Sequence, residues 1–143
     1  MMAAPDTSGS IRTIQSTKRT LMDELKKNKL VAAWILAQEE EDDDASAIQA
    51  FALLPNEDPE LCWELILRIH AEPISEEVRA ILAASPLEDL LVYHGKEYFP
   101  RVKAIALKDP LFRKMLSGVW LDQKKSPIWR EFYELAGVKP KFS

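Results

Sequence analysis

At 143 residues, with 47% apolar and 29% charged side chains, the chain has the size and composition of one globular domain, able to bury about two-thirds of its unfolded surface without a metal or a disulfide. One cysteine, Cys62, excludes an internal disulfide and favours a reducing compartment. The longest apolar run, residues 30–37, is far short of the roughly 20 residues of a membrane span, and residues 1–10 lack the basic and apolar regions of a secretory signal, so a soluble cytoplasmic protein is expected.

The predicted elements start after residues 1–10, small and polar with Pro5 and Gly9, expected to be a frayed tail ahead of a single all-helical domain over 11–143. Leu21, Met22 and Leu25, then Leu30, Val31, Trp34 and Ile35, fall on helical faces. Asn28 and Lys29 interrupt the stripe, so the segment is one bent helix or two short ones. Glu39, Glu40, Glu41, Asp42, Asp43 and Asp44 follow. Six adjacent acids repel one another and bury nothing, which predicts an exposed helix end running into a loop. Asp44 or Ser46 then caps a short helix carrying Ile48, Phe51, Ala52 and Leu54, with the acids near its N-terminus, where the macrodipole favours them.

Four dipeptides further along share one form: Asp58-Pro59, Ser85-Pro86, Asp109-Pro110 and Ser126-Pro127. A short side chain with an oxygen can accept a bond from an unpaired first-turn amide. Proline at the first helical position loses no hydrogen bond and already has a helical φ. Helical periodicity follows each of them, as in Cys62, Leu65, Ile66 and Ile69, or Phe112, Met115, Leu116 and Val119. Ser75 starts a further helix with Val78, Ile81 and Leu82 on its face, and Pro100 lies in the first turn of another, with Phe99, Val102 and Ile105 inward. Gly95, Gly118 and Gly137 are candidate helix stops, although Gly118 also fits a kink. No stretch alternates apolar and polar residues with β-branched enrichment. The expected fold class is all-α: about eight short helices packed as antiparallel hairpins, in a bundle or a short α-solenoid. The spacings between the four starts, 27, 24 and 17 residues, are too irregular to establish a repeat.

Catalytic chemistry has few candidates. His70 and His94 fall in different predicted helices, and neither belongs to a metal-ligand spacing, so no metal and no cofactor are expected. His94, just before Gly95, reads as a capping or core-edge histidine. Cys62, on an apolar face, reads as a small hydrophobe. Glu88 and Asp89 are paired carboxylates of the kind used as acid and base, but Ser85-x-x-Glu88 is also a capping box, in which Glu88 bonds back to the Ser85 amide. If the protein is an enzyme, its site lies around Glu88, Asp89 and His94, with Trp120 or Tyr93 as a wall. The region from Arg101 to Tyr133 mixes basic and aromatic residues, but the aromatics fall at core spacing. A pI near 5.3 argues against a nucleic-acid binder.

Some segments resemble an uncharacterised bacterial domain, the domain-of-unknown-function 6869 family. They are Asp58 to Leu67, Leu82 to Leu91 with His94-Gly95, Asp109 to Arg113 and Gly118-Val119-Trp120, within roughly residues 30–135. The family pattern carries glycine where this chain has Ser85, a departure that favours capping and leaves the fold intact. The resemblance implies a helical domain and a bacterial source, and supplies no activity or catalytic residues.

The charge distribution carries the remaining expectation. The net charge is −4 overall, but −9 over residues 39–60 and +6 over 100–143. Either the poles attract one another and are solvated, or an acidic face meets a basic partner. With no catalytic constellation in view, a non-enzymatic interaction domain is expected, using Glu39–Asp44 against a protein partner, with no membrane or nucleic acid involved. An immunity-type protein blocking a basic toxin or nuclease is its concrete form, and a structural or regulatory module is a further option.

Overall fold

The structure, a computed structural model, describes residues 7–40, 46–122 and 126–138. Helix α1 spans Thr7–Glu40, α2 Ser46–Glu57, α3 Pro59–His70 and α4 Glu76–Leu82. A π-helical turn, Ala83–Leu87, joins α4 to α5, Glu88–Ala106. Helix α6, Pro110–Met115, runs into a 3-10 turn, Leu116–Gly118, and α7 is Trp129–Ala136. The described residues are thus all-helical, without a strand. Counted as continuous runs they form six helices rather than about eight.

Two expected helix boundaries take another form, and each has a local reason. Ser85-Pro86 does not start a helix. Proline inside an α-helix loses a bond and collides with the carbonyl four residues back. The chain avoids this by widening the turn: the Glu88 amide reaches the Ala83 carbonyl, five residues back, and Pro86 is buried within the wider turn. At Gly95 the expected stop takes the form of a kink between two helical segments. The backbone leaves the helical region at His94 (φ −135°, ψ 36°) and resumes at once, so α5 is kinked and Pro100 lies inside it. Gly95 serves close packing instead, since a β-carbon there would lie 3.2 Å from Ile128 Cγ1. Gly137 does end α7, in the left-handed conformation at φ 73°. Arg113 Nε donates to the α7 carbonyl of Leu135 at 2.8 Å.

The caps at Asp58, Ser75 and Asp109 form as the sequence predicts. Asp58 accepts from the Leu61 amide at 3.1 Å, Ser75 from Val78 at 3.1 Å, and Asp109 from Leu111 and Phe112 at 3.0 and 3.1 Å. Ser126 does not cap α7. The helix starts at Trp129, and the Ser126 hydroxyl is buried without a hydrogen-bond partner.

One buried cluster joins the helices around α5, which touches α2, α3, α6 and α7. Contacts between helices distant in sequence, such as α2 with α5, make this a bundle; a solenoid packs each unit on its neighbours alone. Tyr98, Phe51, Phe112, Phe132 and Trp34 are its largest fully buried side chains, joined by Leu65, Ile66 and Ile69 of α3 and Leu87, Leu90 and Leu91 around the start of α5. Among the described residues, helix α1 enters this core through Val31 and Trp34, with Leu30 and Ile35 packed against it. Leu21 and Leu25, expected on a buried stripe, are exposed. At that level α1 meets α3 through polar groups: Arg68 binds Glu24 at 2.5 Å and Asn28 at 2.8 Å, and Lys27 pairs with Glu64 at 3.1 Å. The Arg68 bond holds the Glu24 carboxyl below its ordinary value. Such partly exposed pairs fix register more than they stabilise.

Candidate functional site

A polar network at the junction of α3, α4 and α6 has the look of a catalytic centre. His70 ends α3, Arg79 lies in α4 and Asp109 caps α6. Arg79 Nη1 lies 2.5 Å from His70 Nδ1 and 3.0 Å from the His70 carbonyl, while His70 Nε2 lies 2.9 Å from Asp109 Oδ2. A guanidinium only donates. His70 Nδ1 is therefore the acceptor, and the ring proton sits on Nε2 and is donated to Asp109. The edge of Phe112 packs on the ring, with centroids 5.2 Å apart. Both ring nitrogens are thus engaged, and His70 has no free lone pair to act as a base or bind a metal. The network balances the buried Arg79 charge against Asp109 across a neutral imidazole, and it ties three helices together.

Cys62 is fully buried, and burial pushes its thiol up to about 12, with Asp89 and Asp58 adding to the effect. It packs as a hydrophobe, as its helical position predicts, and a thiolate is out of reach at neutral pH. Among the described residues no group of histidine, cysteine and carboxylate side chains is arranged to hold a metal ion.

The Glu88, Asp89, His94 and Trp120 set is divided. Glu88 does not close a capping box on Ser85; its Oε1 accepts the Trp120 amide at 2.6 Å. That bond fixes the extended segment after Gly118 on one side. On the other side, Tyr133 Oη accepts the Leu121 amide at 3.0 Å. Asp89 is half-buried, and desolvation raises its carboxyl above the ordinary range. His94 sits in the α5 kink with its Nε2 buried and unpartnered and its ring edge-on to Tyr98. The cavity beside Trp120, about 200 Å³, is lined by Val92, Asp122 and Ser126 and by none of the three titratable candidates. Replacing Glu88 by alanine is expected to cost about 1–2 kcal/mol by freeing the Trp120 amide, and glutamine, which keeps an acceptor, should recover most of it. Urea unfolding of both variants measures the difference.

The acidic candidates lie at the far end of α1. Glu39 is exposed, Glu40 is the last helical residue, and Glu41, Asp42, Asp43 and Asp44 lie outside the described residues. Glu39 borders a groove of about 550 Å³ between α1 and the segment running from the end of α3 to Ile74. Its floor is apolar, with Ala32, Ile35 and Leu36 from α1 opposite Pro73 and Ile74. Glu72 stands on its rim together with Arg68, which is held by Glu24, Asn28 and Glu64. No local sequence signal marks this groove, because its two walls are about 40 residues apart in the chain.

Residues 35–136, well over half of the chain, match a family described as Family of unknown function (DUF6869). The chain belongs to that family. No curated protein and no solved structure matches it. The DUF6869 match opens at Ile35, on the groove floor, and closes at Ala136, the last residue of α7. The DUF6869 region therefore includes the Arg79–His70–Asp109 network, the bond from Trp120 to Glu88 and the whole of the acidic run, while most of α1 precedes it.

Proposed function

We propose that the protein is a non-catalytic interaction module of a bacterial cytoplasm, which binds a basic protein partner through the acidic end of α1. One observation carries this reading: the exposed Glu39, first of six consecutive acids, stands beside an apolar groove on the helix surface. An exposed carboxylate next to exposed apolar surface is the composition of a recognition surface. The engaged nitrogens of His70 and the inert thiol of Cys62 support it by removing two catalytic candidates. The absence, among the described residues, of a helix long and apolar enough to cross a membrane fits a partner in solution. An immunity-type protein, presenting carboxylates where a toxin or nuclease would bind phosphates, is the concrete form.

Co-purification from the native host is the test. A stoichiometric basic protein should be recovered, and it should be lost when Glu39–Asp44 are changed to the corresponding amides. Recovery unchanged by that neutralisation would overturn the acidic-end mechanism, and recovery of no partner would overturn the interaction reading.

A further inference from the structure

We infer that the groove between α1 and the α3–α4 connection is the seat of one amphipathic helix from the partner, apolar on one face and carrying lysine or arginine on its flanks. The inference rests on the interaction reading above and assigns it a place and an occupant. Three observations carry it.

The first is shape. Along α1 the groove runs from Asn28 to Glu39, about 16 Å at the rise of an α-helix, or three turns. Its volume of about 550 Å³ suits a few large side chains rather than the face of a whole domain, which covers roughly 800 Å² per partner. A ligand of matching length is a helix of three or four turns with anchors at i, i+3 or i+4, and i+7.

The second is the kind of wall. The described residues hold no strand and so offer no sheet edge for an added strand. The α1 wall presents Ala32, Ile35, Leu36 and Glu39, a ridge at three- and four-residue spacing. A ridge of this kind interlocks with the side-chain rows of another helix. Leu36 is 47% exposed, so an important part of the floor is uncovered in the chain alone.

The third is charge. The cation of the lining, Arg68, is saturated by Glu24, Glu64 and Asn28. Glu39 and Glu72 leave the rim negative. Apolar anchors flanked by cations complement both features, and acidic helices are repelled.

The test uses the full chain and a synthetic helical peptide of about 15 residues, with leucines along one face and lysines along the other. A second peptide has the same composition in scrambled order. Titration calorimetry should show saturable binding of the amphipathic peptide and none of the scrambled one. Binding should weaken roughly tenfold in Leu36→Asp, and similarly in the double variant Glu39→Lys, Glu72→Lys, with both variants melting like the parent. Chemical-shift changes should centre on Ala32, Leu36 and Ile74. Equal binding of the scrambled peptide, or undiminished binding by folded Leu36→Asp, overturns the groove assignment. So does a dimer in sedimentation that Leu36→Asp dissociates, because a second copy is then the occupant. Capture of a host partner that survives Leu36→Asp removes the groove and leaves the interaction reading standing. Absence of any host partner removes that reading, while the peptide result is scored separately.

Discussion

Replacing Asp109 by alanine should destabilise the protein by about 2–4 kcal/mol. The carboxylate caps α6 through two amides, and loss of such a cap costs about 1 kcal/mol. It also takes the proton-bearing Nε2 of His70, largely buried, which would be left unsatisfied at a further cost of about 1–3 kcal/mol. Asparagine keeps the cap and should lose less. The pH dependence follows from the same contacts. The His70 bond, and after it the Phe112 amide, hold the Asp109 carboxyl below its ordinary value of 3.8. A lowered folded value means that the contribution is complete above 3.8 and is lost as pH falls through the folded value. Glu60, held low by the Tyr98 hydroxyl and then by Arg101, acts with the same sign. Urea midpoints measured from pH 7 down to 2 should therefore fall in the acid range for the parent and fall less for Asp109→Asn. A flat acid limb in the parent, or an Asp109→Ala variant as stable as the parent, would contradict the network.

Phe112→Ala should have the largest effect of any single change considered, about 3–5 kcal/mol. Phe112 is fully buried. It meets Trp63 edge-on at 6.3 Å and His70 at 5.2 Å, so its removal opens a cavity between α3 and α6 and leaves the imidazole without its apolar wall. Against a typical domain stability of roughly 5–15 kcal/mol, such a loss should leave a measurable unfolded population on mild heating. Phe112→Leu, which fills most of the space, should retain more than half of the stability lost in the alanine variant. Thermal and urea unfolding monitored by tryptophan fluorescence compare the two.

The features legible in the sequence are those decided within one helical turn. Asp58, Ser75 and Asp109 bond amides two or three residues ahead, so the residue type and its neighbour carry the information. The same dipeptide form misleads at Ser85-Pro86, because whether proline starts a helix or sits in a widened turn depends on what packs over it. Gly95 and Gly137 make the same point. One is a place where Ile128 comes close, the other a left-handed stop, and the local sequence does not distinguish them.

The charges of the candidate site can be read from the sequence, and its pairings cannot. The end of α1 near Glu39 follows from six adjacent acids. The partner of Glu88 does not: Trp120 is 32 residues away, and the capping box explained the carboxylate by a nearer amide. His70, Arg79 and Asp109 belong to three helices, 9 and 39 residues from the histidine, and only their assembly makes the network visible. The groove floor is similar. Leu36 and Ile74 each look ordinary, and an apolar surface between acidic rims exists only once α1 lies beside the end of α3.

The widened turn at Ala83–Leu87 also sets the phase of the chain on either side of it. Buried residues in this run recur at Arg79, Ala83, Leu87, Leu91 and Gly95, and in parallel at Val78, Leu82, Pro86 and Leu90. A period of four is out of step with a helix of 3.6 residues per turn, and the inward stripe would drift by about 40° at each repeat. Over four repeats that would carry Gly95 nearly to the opposite side from Arg79. The extra residue held in the π-turn takes up about 100° of this drift, and the kink at His94 follows within two turns. Deleting one residue there would leave a regular helix with Leu90 and Leu91 still facing the core, whereas winding the same residues as a regular α-helix would swing both about 100° away from the core that α4 faces.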